Sequence, residues 1–120
     1  MAGRGQWARV FLGLGSNLGD RQLHLLRALE GIRDIPVTRL LRVSACYETA
    51  PWGDLDQDAF LNLAAEIETA LAPLELLKAV KTVEAVVGRQ KTRHWGPREI
   101  DIDLVLWQGR TLETPALTLP

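Results

Sequence analysis

Asp101 and Asp103 stand in an alternating run, Ile100-Asp101-Ile102-Asp103-Leu104. In an extended strand this spacing turns both carboxylates to one face while Ile100, Ile102 and Leu104 anchor the other. Two like charges that close repel unless a cation joins them. Mg²⁺ suits such a pair, because it favours one or two protein carboxylates and completes its shell with phosphate oxygens and water. Taken alone, the same spacing also serves the solvated side of a strand.

Just upstream, the segment from Gly88 to Arg98 holds Arg89, Lys91, Arg93 and Arg98 and no acid. A cationic loop beside a diacid makes chemical sense around a polyphosphate, where metal holds some oxygens and Arg or Lys neutralises the rest through charge-assisted hydrogen bonds. A solvated basic loop, or one that stacks nucleic-acid bases on Trp95, would have the same composition. The nearness of Asp101 and Asp103 favours phosphate, and His94 adds little by itself. Phe60 and Asn62, two residues apart on one expected strand face, could stack on and hydrogen-bond a flat heteroaromatic ring. Gly13-Leu14-Gly15-Ser16-Asn17-Leu18-Gly19-Asp20 has the glycines of a phosphate-cradling turn. It lacks the Lys-Ser/Thr ending of a P-loop, and a tight turn with an Asn or Asp helix cap explains it locally.

The elements that must position these groups follow from periodicity. Val10, Leu12 and Leu14 alternate with Phe11, Gly13 and Gly15 in a first strand between Trp7 and Gly15 that has one crowded and one open face. Asn17 or Asp20 caps a helix on which Leu25, Leu26, Leu29 and Ile32 recur until Pro36 ends it. From Val37 to Thr49 the apolar set Val37, Leu41, Val43, Ala45 and Tyr47 predicts a half-buried second strand, with Cys46 as one of its residues. A third strand, Phe60 to Thr69, puts Leu61, Leu63, Ala65 and Ile67 on one side and Phe60, Asn62, Glu66 and Glu68 on the other. Pro73 and Gly88 bracket a second helix with a stripe of Leu76, Leu77, Val80, Val83 and Val87. The fourth strand carries Ile100, Ile102, Leu104 and Leu106 inward, and a turn at Gly109-Arg110 leads to a short terminal strand around Leu112 to Leu119.

This order, βαββαβ, predicts a ferredoxin-like α+β fold, an antiparallel sheet with two helices on one face. The first and third strands should be central and the fourth beside the first. Phe60, Asn62, Asp101 and Asp103 would then meet on the helix-free face, with room above Gly13 and Gly15.

The bulk properties agree with one domain over residues 1–120: 47% of residues are hydrophobic and 24% charged. No apolar run approaches the roughly 20 residues of a bilayer crossing. Met1 to Arg9 is positively charged but runs into a glycine-broken segment rather than the apolar core of a secretory signal, so a cytoplasmic location is the expectation. A net charge of −1 provides no global field toward nucleic acid or anionic lipid, so an anion site must be local. The single cysteine can neither close an internal disulfide nor hold zinc with a second thiolate.

GLGSNLGD near the start, Tyr47-Glu48-Thr49, the DQDAFLN run from Asp56 to Asn62, Gly88-Arg89 and WGPREIDIDLVL from Trp95 to Leu106 together resemble one family. It is the 6-hydroxymethyl-7,8-dihydropterin pyrophosphokinase family, and the similarity covers nearly the whole chain in order. The resemblance implies transfer of diphosphate from ATP to the hydroxymethyl pterin in folate biosynthesis, by a monomer that acts on small molecules without nucleic acid or membrane. It implies that Asp101 and Asp103 bind two Mg²⁺ ions and that Arg89 and Arg98 stabilise the transferring phosphate charge. It further implies that Thr49, Trp52, Phe60, Asn62 and Trp95 line the pterin pocket, while Lys81, Glu84, Lys91, Trp95, Arg98, Leu104 and Thr118 lie near the nucleotide. Lys91, His94 and Ala116 stand where the family commonly has arginine, and Lys gives a point charge in place of a bidentate fork. The chain ends at Pro120, where the family normally continues, so weak ATP binding and slow turnover are expected. An RNA-binding module of the same fold is the competing reading, opposed by the acids Asp101, Asp103, Glu66 and Glu68 on the exposed sheet face.

Overall fold

The computed structural model describes residues 6–50, 59–88 and 99–119. Its elements are β1 (Ala8–Ser16), α1 (Arg21–Arg33), β2 (Thr38–Val43), β3 (Tyr47–Thr49), β4 (Phe60–Thr69), α2 (Pro73–Val87), β5 (Asp101–Trp107), β6 (Leu112–Glu113) and β7 (Thr118–Leu119). The main sheet runs β2-β4-β1-β5, every pair antiparallel, with β3 beside the start of β4. This is the ferredoxin-like α+β arrangement expected from the sequence, with β1 and the Phe60–Thr69 strand central.

Alternation builds the core. Val10, Leu12 and Leu14 of β1, Leu61, Leu63, Ala65 and Ile67 of β4, and Ile100, Ile102 and Leu104 around β5 form one buried cluster with Leu25, Ala28 and Ile32 of α1 and Leu76, Val80 and Val83 of α2. Each Val, Leu or Ile among them contributes about 1.5–3 kcal/mol by leaving water. Of the two candidate caps for α1 it is Asp20 that serves, its carboxylate accepting from the Leu23 amide at 3.1 Å. Gly19 turns the chain into this cap with φ +66, a left-handed conformation that suits glycine. Pro73 opens α2 and Gly88 closes it, as expected.

Several side chains face other ways than their spacing suggests. Leu26 is exposed and Ala28 buried, so the apolar stripe of α1 runs through Leu25, Ala28 and Ile32. In the second strand the inward residues are Thr38 and Leu40, opposite Thr69 and Ile67, whereas Val37, Leu41, Val43 and Tyr47 are exposed. Two local features cause this reversal. Val37 is a left-handed turn residue at φ 46 that delays the strand, and a bulge between Leu40 and Arg42 keeps Arg39 and Arg42 on one face, opposite Glu68 and Glu66. The Ser44 hydroxyl then accepts from the Ala64 amide at 2.8 Å in place of a backbone carbonyl. The ladder is interrupted there, and Cys46 lies exposed between β2 and β3 and not within a strand. A second irregularity, where β5 runs past Phe11 and Leu12, turns Leu106 outward and buries Trp107 instead. The single terminal strand is in fact the two-stranded β6–β7 ribbon, Leu112 opposite Leu119, following a turn at Gly109.

The helices meet where α1 has no side chain. A Cβ built on Gly31 would lie 2.8 Å from Val83 Cγ1 and 3.2 Å from Val83 Cγ2. Helix propensity alone favours Gly31→Ala by about 1 kcal/mol, but overpacking costs about 1–3 kcal/mol. Urea denaturation should therefore show Gly31→Ala destabilised by about 1 kcal/mol, and Gly31→Ala combined with Val83→Ala should recover part of the helix-propensity gain relative to Val83→Ala alone. A plain gain in stability for the single variant would contradict the close contact.

Candidate active site

Sheet register brings the expected groups together. Gly15 of β1 is opposite Asn62 of β4 on one side and Asp101 of β5 on the other, while Gly13 is opposite Ala64 and Asp103. A cavity of about 180 Å³ on the helix-free face is lined by Gly13, Gly15, Phe60, Asn62, Asp101 and Asp103 among others. Thr49 of β3 is tied to its lining, its hydroxyl accepting from Asn62 Nδ2 at 2.7 Å. A larger hollow of about 780 Å³ between α1 and the end of α2 is lined by Leu18, Gly19 and Asp20 of the glycine-rich turn with His24, Arg27 and Glu99, and by none of the residues expected to bind metal, pterin or nucleotide.

The glycines differ in what they permit. At Gly15 a Cβ would stand 2.8 Å from Asn62 Oδ1 and 3.4 Å from Phe60 Cδ1, so any side chain there displaces the two groups suited to a flat ring. At Gly13 the nearest atom is Val105 Cγ2 at 3.4 Å, an ordinary contact that leaves open space over the sheet.

Charge is graded along this face. Glu66, buried although it points away from the helices, is held by Arg9 at 3.0 Å and Arg42 at 2.6 Å, and Glu68 by Arg39 at 3.0 Å. Arg39 also stacks over Trp7, 4.3 Å from the ring centroid. The four acids expected to repel phosphate together are therefore not equivalent: Glu66 and Glu68 are neutralised. At about 3.3 Å per strand residue, the row of Glu66 lies roughly 13 Å along β1 from that of Asp101. Asp101 is half-buried and Asp103 exposed. Among the described residues no three His, Cys, Asp or Glu side chains converge as a metal cage. Two carboxylates facing one cavity fit a hard divalent ion that takes its remaining ligands from phosphate and water.

Lys81 and Glu84 hold the strand that carries this diacid. Glu84 Oε2 accepts from the Ile102 amide, and Lys81 Nζ reaches the Ile102 carbonyl at 3.4 Å and Glu84 at 3.1 Å. Ile102 is the residue between Asp101 and Asp103. Leu104 turns its side chain into the core, leaving only its backbone at the sheet edge, and Thr118 is exposed on β7. Trp52, Arg89, Lys91, His94, Trp95 and Arg98 lie outside the described residues. Sequence reasoning missed Arg21, which reaches Glu48 and the Ala59 carbonyl. The signal for it was a cation at the first helical position, where the dipole favours acids. Removing the Glu84 carboxylate in Glu84→Ala should cost about 1–3 kcal/mol and speed hydrogen exchange at the Ile102 amide. Unchanged protection at that amide would refute the contact.

Comparison with known proteins supplies an independent test of kinship. Residues 11–120 match the family model described as 7,8-dihydro-6-hydroxymethylpterin-pyrophosphokinase (HPPK). Over 112 residues the chain is 46% identical to the 2-amino-4-hydroxy-6-hydroxymethyldihydropteridine pyrophosphokinase of Methylorubrum extorquens, covering 93% of this chain and 71% of that protein. The enzyme of the same name from Aquifex aeolicus is 42% identical over 113 residues, 94% of this chain and 69% of its own. Among solved structures, a Plasmodium falciparum HPPK-DHPS triple mutant superposes with a TM-score of 0.68 at 15% identity, covering 89% of this chain and 29% of that one, a likeness of fold. By its family match and by the identity and coverage of these relatives, the chain belongs to the 7,8-dihydro-6-hydroxymethylpterin-pyrophosphokinase family.

Proposed function

We infer that this chain transfers the terminal diphosphate of ATP to 6-hydroxymethyl-7,8-dihydropterin, releasing AMP, a step of folate biosynthesis. The observation that carries this reading to the present residues is the shared cavity of Phe60, Asn62, Asp101 and Asp103 over the side-chain-free Gly13 and Gly15. It joins a surface for a flat polar ring to a surface for metal-bound phosphate, which is what a reaction between a pterin and a nucleotide requires.

The pterin ring stacks on Phe60 and hydrogen-bonds to Asn62 and Thr49, with Trp52 and Trp95 completing the pocket. Asp101 and Asp103 would hold Mg²⁺, two ions by family resemblance, and the metal would supply neutralisation of phosphate charge when bound. Arg89 and Arg98 stabilise charge on the transferring group, with Lys91 contributing a further cation. Lys81 and Glu84 act through their hold on Ile102, keeping the two aspartates at a fixed height beside the nucleotide, and Leu104 and Thr118 flank it. The hydroxymethyl oxygen forms a bond to the β-phosphorus as the bridge to the α-phosphate breaks. AMP leaves with the bridging oxygen, and the hydroxyl proton passes to solvent water. The protein contributes positioning and electrostatics, since this chemistry leaves it little covalent work.

Partners are small molecules. Among the described residues the arginines of the helix-free face, Arg9, Arg39 and Arg42, are engaged by Glu66 and Glu68, which argues against nucleic acid there. The chain acts as a monomer in this reading, and ATP as co-substrate supports a cytoplasmic setting. No helix among the described residues is long and apolar enough to cross a membrane.

Incubated with Mg²⁺, ATP and the hydroxymethyl dihydropterin, the protein should produce AMP, and ADP as the sole product would reject diphosphate transfer. Asp101→Asn and Asp103→Asn should each lower kcat on the order of 10²- to 10³-fold with little change in melting temperature; a near-normal rate in either would contradict the metal assignment. Gly15→Ala should raise the KM for the pterin at least several-fold and leave that for ATP nearly unchanged, read from initial rates at saturating co-substrate.

A further inference from the structure

Arg21 is the first residue of α1, a position where the dipole disfavours a cation and where the first turn has no acid to offset it. Its guanidinium is committed elsewhere. Nη2 donates to Glu48 Oε2 at 2.7 Å and Nη1 to the Ala59 carbonyl at 2.9 Å. Glu48 directly precedes Thr49 in β3, and Ala59 directly precedes Phe60 in β4. Those two followers are paired across the sheet, Thr49 opposite Phe60, and Thr49 in turn receives the Asn62 amide at 2.7 Å.

One planar fork thus ties α1 to the last turn of chain before each of two ring-binding residues. A guanidinium can do this because its donors diverge at fixed angles; a lysine ammonium, a point charge on a flexible stem, has no such geometry. The ion-pair arm of the fork is a weak source of stability. Glu48 is 59% exposed in its side chain and Arg21 29%, and a pair so open to water adds little to folding.

We propose that Arg21 is a positioning residue for the pterin, setting the separation of Thr49 and Phe60 through Glu48 and the Ala59 carbonyl without touching substrate. The proposal rests on the assignment of Thr49, Phe60 and Asn62 to the pterin. Loosening one hydrogen bond or the stacking contact to the ring weakens binding by up to roughly tenfold, so the effect should fall on one substrate and spare the other.

The test compares Arg21→Ala, Arg21→Lys, Glu48→Gln and Asn62→Ala in the full chain. Steady-state rates are combined with calorimetric titration of the hydroxymethyl dihydropterin in the presence of Mg²⁺ and a non-hydrolysable ATP analogue. Arg21→Ala should weaken pterin binding roughly tenfold in both KM and Kd, with the KM for ATP and kcat at saturating pterin within about twofold of wild type. Arg21→Lys should not rescue it, and Glu48→Gln should shift binding less and in the same direction. Pterin affinity within twofold of wild type in Arg21→Ala, while Asn62→Ala loses it, would overturn the positioning role. Unchanged affinity in Asn62→Ala would instead overturn the pocket assignment itself. Should Arg21→Ala fail to fold, the role is also overturned, because the fork would then be structural, and Glu48→Gln alone would be expected to leave pterin binding at the wild-type level.

Discussion

One row across the sheet, Asn62 to Gly15 to Asp101, governs everything the active face can do. The residues are partners in adjacent antiparallel strands, so their side chains must project the same way, and the central one has none. Because strand side chains alternate with a period of two, a slip of one residue in either pairing would send Asn62 or Asp101 among the helices. The buried stripes of Leu61, Leu63, Ala65 and Ile67 in β4 and of Ile102 and Leu104 in β5 prevent that slip, since it would turn them to water. Hydrophobic burial on one face therefore fixes the geometry of polar chemistry on the other.

Glycine in a central strand weakens it by about 0.5–1 kcal/mol relative to alanine. Here the loss occurs inside a ladder that pairs β1 along its length with β4 and over most of it with β5. The position that costs most to pairing is the one best braced by neighbours. The opposite end of the same face is filled instead by Glu66 and its two arginines. Only Glu66 of this group is buried, its two arginines being open to water, and removing either would leave the buried carboxylate less well compensated. With Arg39 and Glu68 beside it, this end of the face carries more cations than acids among the described residues, whereas the aspartates stand at the other end.

Much of this was legible in the residue order, and the reason is alternation. β1, β4 and the first half of β5 each place apolar side chains on every second position, which fixes both the strand and its facing. The meeting of Phe60, Asn62, Asp101 and Asp103 followed from that once the strand order was settled. The second strand was misread because Leu41, Val43 and Tyr47 keep the period of two yet face water. A left-handed Val37 and the bulge after Leu40 shift the frame, and neither leaves a pattern in hydrophobicity. Trp107 replaced Leu106 in the core for the same reason. Arg21 escaped notice because its partners are 27 and 38 residues away in sequence and one of them is a backbone carbonyl. The cationic residues expected around phosphate, Arg89, Lys91 and Arg98, fall outside the described segments, so their part rests on the family pattern.

The grip of α2 on Ile102 has a consequence beyond the proposed site. A border strand normally advertises unpaired amides and carbonyls to which a stranger's extended chain can zip itself, the first step toward intermolecular β-aggregates. At Ile102 the amide is already spoken for by Glu84 and the carbonyl is approached by Lys81. Uncontrolled sheet extension along this border is thus discouraged by the same two side chains that steady the diacid, leaving the bulged, arginine-studded β2 as the border more open to such encounters.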